Sequence, residues 1–170
     1  MQTNKRFIFL LSITIATVPT FLTSHATTPP QATTPPIGAV SEVTTEDGLH
    51  GALTSSTPTV VMGYMHNCTH CNALKPDFTM LAKKYPKINF ILANGPNLIM
   101  HKRVAQLTDN AIKIPGYPTV VFINPAASPH QITDSLIGGN RQKLISKVEA
   151  LAAATKSIAK SKGVTSKSNK

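Results

Sequence analysis

The sequence predicts a layered α/β domain, and three observations carry that expectation. Apolar runs of strand length alternate with segments of helical period between about residues 40 and 155. The last two strand-type runs are joined by a turn-rich segment and followed by a helix, so the alternation ends in a hairpin and a helix. A proline-dense stretch precedes this region and a Ser/Lys-rich stretch follows it. What remains, residues 37–156, is one domain of about 120 residues.

In chain order, Ala39 to Val43 reads as a short edge strand, and Thr45-Glu46-Asp47 as a helix start leading to Leu53. Thr59 to Met65 is a continuous apolar run short enough for a buried strand, with Met62 and Met65 as core residues. From Cys68, the positions Cys71, Leu74, Phe78, Leu81, Ala82 and Tyr85 recur at helical spacing until Pro86 stops the helix. Ile88 to Ala93 predicts a second buried strand. Asn94-Gly95-Pro96 turns the chain into a helix over about Asn97 to Leu107. Thr119 to Ile123 and Ile132 to Ile137 are strands joined through Asn124 to Pro129. A last helix from Arg141 to about Ala154 carries Leu144, Ile145, Val148 and Leu151 on one face.

The 170 residues are 41% hydrophobic and 14% charged, a normal ratio for a chain that buries a core. A formal net charge of +10 excludes an acidic solvating protein. That charge is unevenly placed: residues 156–170 carry five lysines and no acid, whereas residues 40–155 hold ten basic residues against seven acids. No basic stripe is interleaved with aromatics, which make up 5% of the chain, so no nucleic-acid partner is expected. The basic tail, 157–170, is expected to be disordered and to keep the domain soluble, with weak contact to an anionic membrane surface as its other use. Two cysteines are too few for a disulfide scaffold or a four-cysteine zinc site.

Lys5 and Arg6, the apolar stretch Phe7 to Val18 and the small residues of Ser24-His25-Ala26 form the three-part pattern of a secretory signal over residues 1–26. An uncleaved anchor is the alternative, disfavoured by Thr14, Thr17, Pro19 and Thr20. Residues 27–36, Thr/Pro-rich, then form a stiff extended linker. The expected location is periplasmic or secreted, where disulfides persist.

The chemistry centres on Cys68-Thr69-His70-Cys71, which follows a buried-type strand and opens a helix. Cys68 sits where unsatisfied N–H groups and the helix dipole favour a thiolate, the nucleophile of disulfide exchange. Cys71 lies one turn further in, placed to attack a mixed disulfide formed by Cys68. His70 adds a partly positive neighbour, and the two intervening residues, Thr69 and His70, are the tuning positions. A purely structural disulfide gains little from so short a loop, about 2 kcal/mol. The rival reading is a soft-metal site built from His66, Cys68, His70 and Cys71 with Met62 and Met65 nearby. The remaining histidines, His50, His101 and His130, have no partner that the sequence identifies.

With these residues in view, the domain resembles the thioredoxin-fold proteins. Beyond Cys68 and Cys71, Pro76 lies where that family kinks the active-site helix. Ile114-Pro115-Gly116-Tyr117-Pro118-Thr119 resembles the family's segment ending in a cis proline that faces the two sulfurs, and Gly138-Gly139 resembles its glycine pair beside the site. The resemblance implies a thioredoxin-like fold, a central mixed sheet of four to five strands flanked by helices. It implies Cys68 and Cys71 as catalytic residues and Tyr117 and Pro118 as substrate-binding residues. No cofactor or metal is implied, the redox-active group being the Cys68–Cys71 disulfide itself.

Departures from the family concern direction. The family's tryptophan before the first cysteine is Asn67 here, and its buried acid in the preceding strand is Met62. The Cys-x-His-Cys pattern and Tyr117 are similar to the protein disulfide isomerases and the periplasmic thiol oxidase. The implied function is thiol–disulfide exchange on cysteines of exported client proteins, oxidising or isomerising, with a membrane or soluble redox partner for recycling. The alternative is a periplasmic copper carrier or metal-centre assembly factor using the same cysteines; a tethered interaction module is a third reading.

Overall fold

The computed structural model describes residues 38–127 and 131–164, with side chains as far as Lys156. All of them lie within one unit, Thr34–Lys170. The expected signal (1–26) and linker (27–36) lie outside the described residues, as does His130.

Five strands form one mixed sheet in the order β1-β3-β2-β4-β5. They are β1 (Val40–Val43), β2 (Thr59–Tyr64), β3 (Asn89–Asn94), β4 (Thr119–Ile123) and β5 (Ile132–Ile137). β3 pairs in parallel with β1 and β2, whereas β4 runs antiparallel to both β2 and β5. Four helices cover it: α1 (Glu46–Leu53), α2 (Thr69–Lys84), α3 (Met100–Leu107) and α4 (Arg141–Val164).

Strand side chains alternate between two cores, as a period of two requires. Val60, Met62, Phe90, Val120 and Phe122 face α2 and α4, whose Leu74, Phe78, Leu81, Leu144 and Val148 complete that core. Val61, Ala93, Val121 and Ile123 face the other way, onto Leu49 and Leu53 of α1 and Met100 and Val104 of α3. β2 and β4 are buried along their whole length, which is why both read as unbroken apolar runs. The layered α/β expectation and the order of its elements hold throughout.

Local chemistry sets the helix ends. The Thr45 hydroxyl accepts the Gly48 N–H at 3.1 Å and caps α1. The Asn140 side chain accepts the Lys143 N–H at 2.9 Å at the start of α4. Arg141 reaches Asp77 of α2 at 2.8 Å, an exposed cation on a half-buried carboxylate.

Three expectations are corrected. α3 begins at Met100 rather than near Asn97, because residues 96–99 form turns and Ile99 sits at φ 44°, outside the helical region. α4 runs on to Val164, eight residues into the tail expected to be disordered. That stretch has no proline, and its Ala159, Lys160 and Lys162 are good helix formers; residues 165–170 lie outside the described residues. Met65, expected in the core with Met62, is 41% exposed because β2 ends one residue earlier, at Tyr64. Among the described residues no helix is long and apolar enough to cross a membrane.

Candidate active site

Cys68 and Cys71 form a disulfide with their Cα atoms 5.2 Å apart. Cys68 is the N-cap of α2, and its sulfur accepts the backbone N–H of Cys71 at 3.1 Å. The capping position, ordinarily filled by Ser, Thr, Asp or Asn, is thus held by the sulfur itself. Asn67, at φ 59°, turns the chain from the end of β2 into this cap, in the left-handed region that asparagine tolerates. Cys68 is half-buried, whereas Cys71 is fully buried one turn into the helix. Pro76 lies inside α2 and removes one of its intrahelical hydrogen bonds.

The loop before β4 approaches from the other side. The Tyr117–Pro118 peptide is cis, and the Tyr117 carbonyl oxygen lies 3.9 Å from Cys68 Sγ. Two hydrogen bonds hold this loop: the Thr119 hydroxyl donates to the Gly116 carbonyl at 2.5 Å, and the Gly138 N–H donates to the Pro118 carbonyl at 2.8 Å. Gly138 takes φ +82°, a conformation suited to glycine. A Cβ on Gly139 would meet the Cβ and carbonyl of His70, both at 3.7 Å, so the glycine pair borders the first turn of α2. Cys68, Cys71, His70, Tyr117, Pro118, Gly138 and Gly139 are therefore brought together. Thr69 and His70 are exposed on that turn.

The rival metal set is not assembled. Among the described residues no three His, Cys, Asp or Glu side chains converge as metal ligands, and the two sulfurs are bonded to each other. Met62 is fully buried in the core facing α2. His50, His66 and His101 are exposed.

A second group at the end of β2 was not singled out in the sequence. The Tyr64 hydroxyl donates to the Glu42 carboxylate, the Lys75 ammonium lies 4.2 Å from the centre of the Tyr64 ring, and His66 meets that ring edge-on at 5.7 Å. The hydrogen bond to Glu42, then burial, then the negative charge of Glu42 push the Tyr64 pKa up to about 12. The folded value exceeds the usual tyrosine value near 10, so this contribution is complete below about pH 10. It is lost as pH rises towards 12. Urea denaturation between pH 8 and 11.5 should show stability falling on the alkaline side, with a shallower fall in Tyr64→Phe. Equal slopes in the two proteins would contradict the coupling.

The Tyr117 side chain was also missed as a packing element. Its ring lies against Gly63 of β2 and Gly95 after β3. Its hydroxyl is buried with no hydrogen-bond partner among the described residues, and burial raises its pKa above the ordinary tyrosine value.

No curated protein matches the sequence significantly. Solved structures do match the fold. The thioredoxin of Malassezia sympodialis, Mala s 13, superposes with a TM-score of 0.54 at 19% identity, covering 70% of this chain and 96% of that one. The short form of thioredoxin f from spinach chloroplast gives a TM-score of 0.53 at 20% identity, covering 68% and 95% of the two chains. Oxidised thioredoxin O2 from Arabidopsis thaliana gives 0.52 at 18% identity, covering 68% and 96%. At these identities the likeness establishes the fold. The thioredoxin family profile matches residues 40–150, a span that contains the disulfide, the Tyr117–Pro118 loop and Gly138-Gly139: the chain belongs to the thioredoxin family and is a thiol:disulfide oxidoreductase of thioredoxin-like fold.

Proposed function

We propose that the protein is exported and transfers its Cys68–Cys71 disulfide to cysteine pairs of exported client proteins, as an oxidase or isomerase. The observation that carries this reading is the asymmetry of the pair. Cys68 Sγ is half-buried at a helix N-cap beside a backbone carbonyl, while Cys71 is fully buried. A client thiolate reaches the accessible sulfur, Cys68. The Cys68–Cys71 bond breaks as the Cys68–client bond forms, and Cys71 leaves as a thiolate that takes up a proton. A second client thiolate then attacks the client sulfur of the mixed disulfide and releases Cys68 as a thiolate. The client gains a disulfide, and two electrons end on the protein.

The cap favours the oxidising direction. The Cys71 N–H and the α2 dipole stabilise negative charge on Cys68, hence the reduced form. His70 at the same helix mouth works the same way whenever its ring carries a proton. The Tyr117 carbonyl, beside the sulfur, serves as acceptor for the backbone of an extended client segment, with Pro118 behind it. The N-terminal pattern of residues 1–26 supports export to the periplasm or the exterior. A membrane or soluble redox partner then reoxidises the dithiol.

The test is the reduction potential of the pair in glutathione buffer, on protein beginning at Thr27. A value between about −120 and −180 mV is expected, the range of strong oxidants and isomerases. A value near about −270 mV would make the protein a reductant and overturn the direction. His70→Pro should shift the potential more negative by about 30 mV or more, tenfold in the equilibrium constant. An unchanged potential would remove His70 from the tuning.

A further inference from the structure

The Tyr117 ring occupies a slot that exists because two positions lack side chains. A Cβ on Gly63 would lie 2.5 Å from Met100 Sδ and 2.9 Å from Tyr117 Cε1. A Cβ on Gly95 would overlap the ring itself. The glycines lie on neighbouring chain segments, Gly63 in β2 and Gly95 just past the end of β3, two register positions further along: Gly63 is in register with Ala93, Tyr64 with Asn94, and the Gly95 N–H donates to the Tyr64 carbonyl at 2.9 Å. The Met100 N–H closes the slot on the Gly95 carbonyl at 3.0 Å, and Met100 is fully buried. Ile99, next to it, is held at φ 44°, an unfavourable conformation for a β-branched residue. The turn from Gly95 to Met100 is thus fixed against the ring. At the other end of the same residue, the Tyr117 carbonyl lies beside Cys68 Sγ.

We propose that Gly63, Gly95 and Met100 are positioning residues for client binding. They clamp the Tyr117 ring, and through it they fix the carbonyl that receives an extended client segment next to Cys68. The inference rests on the client-binding role proposed above for Tyr117. It adds that the anchorage of this carbonyl comes from across the sheet, at residues remote from Tyr117 in sequence.

The experiment is single-turnover oxidation of a ten-residue synthetic dithiol peptide by the oxidised protein, with the rate followed to saturation in peptide. Gly95→Ala and Tyr117→Ala should each raise the half-saturating peptide concentration by about tenfold, since a displacement of about 1 Å suffices for losses of this order. The double variant should match Tyr117→Ala alone rather than show the product of the two effects, because the added methyl enters space the ring has left. Circular dichroism establishes which variants are folded. Where Gly95→Ala does not fold, the double variant still lacks the clash, and equality with Tyr117→Ala supports the clamp. A further tenfold rise in the double variant, or unchanged saturation in folded Gly95→Ala, would overturn it. Failure of the unsubstituted oxidised protein to oxidise the peptide would instead overturn the function proposed above, so the two failures are distinct.

Discussion

A Cys71→Ser variant is expected to accumulate covalent adducts with disulfide-bearing proteins, whereas Cys68→Ser forms none and exchanges no disulfides. Burial dictates the difference. In the reduced Cys71→Ser protein the half-buried Cys68 thiolate still caps α2 and attacks a client disulfide. One client sulfur bonds to Cys68 and the other leaves as a thiol. Resolution would require attack from the position one turn into the helix, where a serine hydroxyl is no nucleophile for sulfur at neutral pH. The adduct therefore persists until an external thiol removes it. In Cys68→Ser the remaining thiol is fully buried and out of a client's reach. Non-reducing electrophoresis of each variant, with and without dithiothreitol, checks the outcome. Equal loss of activity in both, with no adduct in either, would remove the division of labour between the two cysteines.

The difference in burial between the two sulfurs was legible in the sequence because it depends on local order: a buried strand, a turn, and a helix with one cysteine at its cap and the other inside it. The ends of β4 and β5 were legible for a related reason. The apolar run of β4 ends at Ile123 before Asn124, and β5 ends at Ile137 before the glycine pair that opens with Gly138. α2 announced itself through Cys71, Leu74, Phe78 and Leu81, all of which are buried. What failed to show was set by distance along the chain or by competing local preferences. Nothing near Ile99 signals a left-handed residue, so α3 was expected three residues early. The helix-compatible composition after Ala154 was outweighed by its charge and polarity, and α4 was expected to end too soon.

The glycine slot illustrates the harder case. Gly63 interrupts an apolar run and Gly95 sits in a turn motif, and each has an ordinary local explanation. Only the parallel register of β2 with β3 places them together, and only the loop before β4 delivers an aromatic ring between them. The available signal was a combination: glycine in a run of otherwise large residues, and tyrosine beside the loop proline. The Glu42–Tyr64–Lys75 group was hidden likewise, since it draws on β1, β2 and α2.

Phe78→Ala is expected to destabilise the fold by about 3–5 kcal/mol, the range for removing a large buried aromatic. Phe78 is fully buried and meets Phe90 of β3 edge to face, with ring centroids 5.1 Å apart and planes at 79°. It projects from the turn of α2 just beyond Pro76, where the helix has already lost a hydrogen bond. Packing at Phe78, with Leu74 and Leu81 on the same face, therefore holds α2 to the sheet, and the helix so held presents Cys68 at its N-terminus. Chemical denaturation should show the midpoint falling with the slope on denaturant unchanged. In the reduced protein, alkylation of Cys71 should accelerate as the helix loosens, because full burial is what protects it in the parent. A loss below about 1 kcal/mol, with Cys71 still protected, would place the anchorage of the active-site helix elsewhere, on Leu74 and Leu81 of the same face.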